Sequence, residues 1–346
     1  MTTRVQLAAA GVGIIVLAVA AFFLLSGRGP AIPGVINEFA APATCPLSGE
    51  EPRDEALLDR PAVAIKVENA AVAYPLSGLE KAEVVYEELV EGGVTRFMAI
   101  YHCSDSDKVG PVRSAREIDP TIMTPTTRIL GFSGANEPVL KALDEAEIVQ
   151  VTETAAGDAM RRVPREGLTS EHTLYASTPK IRKVGEKKFE DPPPGESYES
   201  GELPGGAKKA GSIEITFSSA TTINYKFTGG SYLRSQNGAA FETESGAQVA
   251  VDNVLIEEHE VALSKKIVDV AGNPSVVIAD QIGSGRAVLF RDGRVVVGRW
   301  SRESLEAPVT FETKQGDKML FAQGSIWIHL VPSDKGEVKG SFDYAK

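Results

Sequence analysis

The chain carries, close together, the segments AVAIKVEN (62–69), AEVVYEELVEGG (82–93) and VTRFMAIYH (94–102). Each is a short run of mainly Val, Ile, Ala and aromatic residues, a composition typical of β-strands. Gly92-Gly93 separates the last two segments and indicates a hairpin. Further along, RILGFSG (128–134) predicts a buried strand, and Asn136 with Pro138 predicts the start of a helix. Residues 47–183 are therefore expected to form an α+β or mixed α/β domain.

A second region, residues 212–333, consists of short apolar runs separated by turn residues. Asp292-Gly293, inside AVLFRDGRVVVG (287–298), is a strong two-residue hairpin signal. This pattern predicts an antiparallel β-rich domain, either a sandwich or a partly open barrel. Residues 184–211 are dense in Pro, Gly and charge, which indicates a linker between the domains, and residues 334–346 are expected to be a tail.

The N-terminal segment 1–28 has no charged residue from Val5 to Gly27. Its apolar run, about 6–25, has the length of a membrane-spanning helix, since 20 residues at about 1.5 Å each cover about 30 Å. The sequence predicts one transmembrane anchor, a stalk over 29–46 and a body on the extracytoplasmic side. A cleaved signal peptide is the alternative, but the nearest small-residue cleavage pattern, Ala41-Pro42-Ala43, lies far beyond the apolar run.

Composition excludes several classes of protein. The 346 residues are 42% hydrophobic and 24% charged, which is ordinary for a globular chain. Lys plus Arg number 36 and Asp plus Glu number 47, so the net charge is −11. An acidic chain is a poor partner for a phosphate backbone, and no nucleic-acid binding is expected. We find no motif for a cofactor and expect none.

The two cysteines, Cys45 and Cys103, both lie on the outer side of the predicted membrane. An even number of cysteines in an oxidising compartment favours a disulfide. Two buried free thiols are the alternative. We expect no metal site, because neither cysteine has a second Cys or His at the usual ligand spacing.

Several segments resemble one known family. These are CPLSG (45–49), the stretch 60–101 that contains the first three strands, VGPVRSARE (109–117), EHTLYAST (171–178) and GSIWIHLVP (324–332). They are similar, in order and spacing, to the N- and C-terminal domains of the YerB-like lipoproteins, the domain of unknown function 3048. The resemblance implies a location on the outer face of the cytoplasmic membrane, and it implies no activity. This chain differs from many relatives in having an apolar helix where they have a lipid-anchored cysteine.

Charged residues in the first domain form the sharpest candidate site. In a strand, Glu87 and Glu88 point to opposite faces, whereas Glu87 and Glu91 are expected to share one. The hairpin at Gly92-Gly93 would then bring Arg96 beside one of these carboxylates.

Arg113 and Arg116 are three residues apart and would point the same way on a helical turn, forming a clamp for a carboxylate or phosphate. A ligand site of Arg96, Arg113, Arg116, Glu87 and Glu91 is one interpretation. An internal ion-pair network is the other. The anion would be a cell-wall polymer or a group on an envelope protein.

An enzymatic hypothesis uses a carboxylate pair for glycan hydrolysis or transfer. Glu88 with Glu117 or Asp119 would supply the acid and the base, and His172 could carry a proton. The sequence offers no complete set of nucleophile, base and orienting group. We therefore favour a binding or scaffold protein of the cell envelope over an enzyme, without deciding between them.

Overall fold

The computed structural model describes residues 43–195, 198–269 and 272–346. The predicted anchor (1–28) and nearly all of the predicted stalk (29–46) lie outside the described residues. No helix in the described ranges is long and apolar enough to cross a membrane. Residues 44–346 form one compact unit.

The described part of the chain is rich in β-structure and has few helices. The α-helices are α1 (Asp119–Met123), α2 (Glu137–Glu145) and α3 (Thr178–Gly185). The strands, in chain order, are β1 (Val63–Glu68), β2 (Val84–Leu89), β3 (Thr95–Tyr101), β4 (Ile129–Phe132), β5 (Val149–Thr152), β6 (Met160–Arg162), β7 (Leu174–Ala176), β8 (Lys208–Lys209), β9 (Ser212–Ser218), β10 (Thr221–Thr228), β11 (Ser231–Gln236), β12 (Ala239–Ala240), β13 (Ala250–Val251), β14 (Asn253–His259), β15 (Val261–Val268), β16 (Pro274–Ile278), β17 (Gly283–Arg291), β18 (Arg294–Arg302), β19 (Thr310–Thr313), β20 (Ile326–Pro332) and β21 (Ser341–Ala345).

One large sheet runs through both predicted domains. Its strand order is β19-β18-β17-β14-β20-β2-β3-β1-β4-β5, with β8 added beside β18. Strands from the two regions meet where β2 pairs with β20 in parallel, from Val84 opposite Ile326 to Glu88 opposite Leu330. The domain division drawn from sequence therefore does not coincide with a division of this sheet.

A second, antiparallel sheet covers one face of the first. Its order is β12-β11-β10-β9-β21, with β13 beside β11. Alternation along each strand sends Val85 and Phe97 into the core between the two sheets, whereas Tyr86 and Met98 enter a core under α1 and α2 on the opposite face. Both faces of the central strands are thus buried, which explains their continuous apolar composition.

Three local expectations are confirmed. The hairpin of β2 and β3 turns through Gly92 and Gly93, both with positive φ, as a tight turn requires. The hairpin of β17 and β18 turns at Asp292-Gly293. Asn136 caps α2, accepting the Val139 N–H at 3.1 Å.

The predicted disulfide is also confirmed. Cys45 and Cys103 are joined, with their Cα atoms 6.0 Å apart and a separation of 58 positions in the sequence. The bond ties the chain before β1 to the loop after β3.

The expectation of an antiparallel C-terminal region holds for most of its strand pairs but not for all of them. β14 and β20 pair in parallel over seven positions, and β20 pairs in parallel with β2 as well. Turn signals identify neighbouring antiparallel strands, but a pairing between distant segments leaves no local signal. The structure also places β21 within residues 334–346, where sequence analysis expected a tail.

A buried ion pair links the two sheets. Arg234 on β11 donates from Nη2 to both carboxylate oxygens of Glu87 on β2, each at 3.0 Å. Both side chains are completely buried. The Arg234 guanidinium carbon also lies 4.1 Å from the ring centre of Phe241 and 5.2 Å from that of Trp327. Aromatic faces and a carboxylate together replace the water that this cation would otherwise need.

We predict that Arg234→Met lowers the free energy of unfolding by about 3–5 kcal/mol, because Glu87 is left as a buried, unpaired charge. Urea unfolding of the purified chain measures this. Adding Glu87→Leu should restore most of the loss. Lys141→Met, which removes an exposed pair with Glu145 on α2, is the control and should change the value by about 0.5 kcal/mol or less. If Arg234→Met and Lys141→Met changed the free energy of unfolding equally, the stabilising role of the buried Arg234–Glu87 pair would be contradicted.

Candidate anion-binding cleft

An open cleft of about 630 Å³ lies at one end of the large sheet. Its walls come from the ends of β1 and β3, the extended segment 112–116, the residues that lead into α2, and the hairpin of β15 and β16. The predicted arginines Arg96, Arg113 and Arg116 all line it, as does Glu91.

Strand register sets the position of Arg96. It lies on β3 opposite Glu68 of β1 on one side and Glu88 of β2 on the other. Residues opposite each other in antiparallel strands point to the same face, so these three charged side chains form one row. That row continues the face of the sheet that carries α1 and α2.

Arg113 and Arg116 reach the cleft from extended backbone, so the expectation of a helical turn here is wrong. The Arg113 N–H donates to the Lys66 carbonyl at 2.9 Å, and the Ala115 N–H donates to the Gly134 carbonyl at 3.0 Å. The helix starts later, at Asp119, with Pro120 in its first turn. The segment is thus fixed against β1 and the loop before α2.

Arg116 and Glu91 form the tightest pair in the cleft. The Arg116 Nε and Nη2 atoms donate to Glu91 Oε2 at 2.9 and 2.5 Å. The other Glu91 oxygen accepts from Ser275 of β16 at 2.7 Å. Burial would raise the pKa of Glu91, but Arg116 outweighs it and the pKa is lowered. The pair also fastens the hairpin of β15 and β16 to the cleft.

Arg113 has looser partners. Its Nε is 3.5 Å from Glu68 Oε1, and its Nη1 donates to the Glu171 carbonyl at 3.1 Å. The second oxygen of Glu68 lies 2.8 Å from Nδ1 of His172, so Glu68 orients this histidine. Arg113 and Glu68 line the cleft, and His172 is connected to it through Glu68.

Arg96 differs from the other two arginines. Its Nη1 donates to the Ser114 carbonyl at 3.0 Å, and no carboxylate of the described residues lies within 4.0 Å of its guanidinium. Burial and then the charges of Arg116 and Arg113 lower its pKa to about 10. An anion placed here would relieve the repulsion among three guanidinium groups.

A buried cluster lies behind the cleft. The Lys66 ammonium contacts Glu88 and lies 2.6 Å from Asp119 Oδ1, and all three side chains are buried. Asp119 Oδ2 accepts the Arg116 backbone N–H at 2.7 Å, which connects the cluster to the cleft wall. Burial, together with the Asp119 charge, raises the pKa of Glu88 to about 7 although Lys66 opposes it.

The structure separates the other predicted residues. Glu87 and Glu91 do not share a face, because β2 ends at Leu89 and Glu91 belongs to the turn; Glu87 lies between the sheets with Arg234. Glu88 and Glu117 are not among the residues that line the cleft. His172 borders it through Glu68.

Sequence analysis missed Glu68, Lys66 and Ser275. Lys66 and Glu68 are two charges at alternate positions of an otherwise apolar strand, and this was the available signal for the first two. Ser275 had none, since its role arises from a contact with Glu91, 184 residues away.

Comparisons with known proteins show which family this chain belongs to. The model of the DUF3048 N-terminal domain, a protein of unknown function, matches residues 47–192, and that of the DUF3048 C-terminal domain matches residues 213–328. The chain belongs to the DUF3048 family. It is 29% identical to "Putative lipoprotein YerB" of Bacillus subtilis (strain 168) in an alignment of 330 residues that covers 90% of this chain and 92% of the relative. The crystal structure of the Bacillus subtilis YerB protein is similar, with a TM-score of 0.71 and 26% identity over 87% of this chain and 99% of that one.

We predict that the contribution of Glu88 to the free energy of unfolding falls as the pH rises from about 4.5 to about 7. The raised pKa of Glu88 means that the folded state holds a proton that the unfolded state releases in this window. Glu88→Gln should remove this contribution, so that the variant loses less stability, or gains more, than the wild type across this window, measured by urea unfolding at fixed salt. Glu117→Gln is the control and should keep the wild-type slope. If the free energy of unfolding of Glu88→Gln changed with pH in parallel with that of the wild type, a raised pKa of Glu88 would be contradicted.

Proposed function

We propose that this protein is an envelope-associated binding protein whose cleft takes up a phosphate-bearing anion, such as a segment of an anionic wall polymer. The observation that supports this best is Arg96, a half-buried cation in an open cleft with no carboxylate of the described residues within 4.0 Å. A structural arginine of this burial would be expected to have such a partner.

The surroundings of Arg96 suit phosphate groups. Arg113 and Arg116 place two further guanidinium groups on the same cleft, and guanidinium forks match phosphate oxygens well. Residues 133–136, which lead into α2, also line the cleft, so the positive end of that helix dipole adds to the field. Glu91 and Glu68 hold the other two arginines in place and leave Arg96 for the ligand.

An envelope location agrees with the relative described as a lipoprotein and with the apolar N-terminal segment. Under this proposal the segment 1–28 holds the chain at the membrane and residues 44–346 face outward. A wall polymer is then within reach of the cleft. The hydrolase or transferase alternative receives less support, because the carboxylates expected to carry it, Glu88 and Glu117, do not line the cleft.

We predict that Arg96→Gln weakens binding of an oligo(glycerol phosphate) about ten- to hundredfold, since one charge-assisted hydrogen bond contributes about 1.5–3 kcal/mol. Isothermal titration of the purified chain gives the affinity, and wild-type binding should weaken as salt is added. The melting temperature should not fall, because the substitution removes repulsion from Arg113 and Arg116.

Arg299→Gln is the matched control, since Arg299 is exposed on β18 and should leave the affinity unchanged. Vesicles containing phosphatidylglycerol form a second arm and distinguish a lipid headgroup from a wall polymer. Loss of stability in Arg96→Gln together with no binding by the wild type would favour the internal ion-pair network instead.

The location has a separate test. A reporter that is active only outside the cytoplasm, fused after Lys346, should be active in cells and should sediment with membranes. Deleting residues 1–28 should abolish both, because the proposed anchor is lost. Activity of a cytoplasmic reporter at the same position would contradict the outward orientation.

A further inference from the structure

The disulfide region holds more metal-ligating groups than a structural cross-link requires. One atom each from Cys45, Glu83 and Cys103 lies within 4.8 Å of the others. His102 is a neighbouring group: its Nδ1 is 3.6 Å from Cys103 Sγ, but it does not lie within 4.8 Å of all three ligand atoms. Cys45, Glu83 and His102 are buried, and Cys103 is half-buried. Two sulfurs, one imidazole and one carboxylate are a ligand set that suits Zn²⁺.

The hydrogen bonds of His102 prepare its Nδ1 atom for a metal. The Nε2 atom lies 2.9 Å from the Arg60 carbonyl, which can only accept, so Nε2 carries the proton. In this tautomer Nδ1 carries the lone pair that a metal would use. A histidine held by its distal N–H on a backbone carbonyl is the usual arrangement in protein metal sites.

Hydrogen bonds also fix the carboxylate of Glu83. Its Oε1 accepts the Cys103 N–H at 2.9 Å, and its Oε2 accepts the His102 N–H and, at 3.0 Å, the Ser104 hydroxyl. These bonds fix the carboxylate beside the two sulfurs. Tetrahedral zinc with two thiolates needs the sulfurs about 3.8 Å apart, as follows from Zn–S bonds of about 2.3 Å. Zinc binding therefore requires the two sulfurs to separate to that distance and His102 Nδ1 to approach the rest of the group.

We propose that the reduced form of the Cys45–Cys103 pair is a zinc site completed by Glu83 and His102. A dithiol reductant opens the disulfide by exchange, gaining its own disulfide and leaving two protein thiols. Zn²⁺ then displaces the two thiol protons and binds both thiolates. The oxidised protein cannot bind in this way, since its sulfurs are bonded to each other. The site is independent of the arginine cleft.

The test uses the full chain, reduced without oxygen and titrated with Zn²⁺ against a chromogenic chelator. The reduced protein should bind one zinc at least a hundredfold more tightly than the oxidised protein, which is the matched control. Co²⁺ in place of zinc should give thiolate-to-metal charge-transfer bands. His102→Gln keeps both cysteines and should weaken binding at least tenfold.

Circular dichroism separates binding from folding. If the reduced chain stays folded yet binds zinc no more tightly than the oxidised chain, the proposal is wrong. If the reduced chain unfolds, zinc should restore the folded spectrum, and failure to do so would also overturn the proposal. Unchanged affinity in His102→Gln would remove this residue from the site and with it the four-ligand assignment.

Discussion

Parallel pairing of β2 with β20 is the constraint on which the rest of the molecule depends. It joins strands more than 230 residues apart in sequence and makes one sheet of the two regions that the family models treat separately. The register sets Glu87 beside His329, and the second sheet then brings Arg234 onto Glu87. Glu87, His329 and Arg234 are thereby buried between two apolar layers. A shift of one residue in the register of β2 against β20 would leave a buried charge without a partner.

The cleft depends on the same pairing, because its far wall is the hairpin of β15 and β16 from the C-terminal region. Ser275 on that hairpin completes the partners of Glu91, and Glu91 in turn holds Arg116. Two of the three arginines are thus used partly to build the cleft. Arg96 is left with a carbonyl partner and two positive neighbours, which is an arrangement that an anion would stabilise.

Local features of the fold could be predicted from sequence, whereas distant pairings could not. The hairpins at Gly92-Gly93 and Asp292-Gly293 and the cap at Asn136 depend on neighbouring residues, and the structure has all three. The alternation of β2 put Glu87 and Glu88 on opposite faces. It could not show that β2 ends at Leu89, so Glu91 was assigned to the wrong face. The three arginines were chosen by type and meet in one cleft, but their different roles follow from tertiary partners that no local pattern contains.

The most direct test of the account is a crystal structure of the full chain with a short oligo(glycerol phosphate). We predict a phosphate group in the cleft with its oxygens within hydrogen-bonding distance of the Arg96 guanidinium, and with the Arg116–Glu91 pair retained. A phosphate bound elsewhere, with Arg96 still bonded to the Ser114 carbonyl in an empty cleft, would contradict the assignment of this cleft as an anion site.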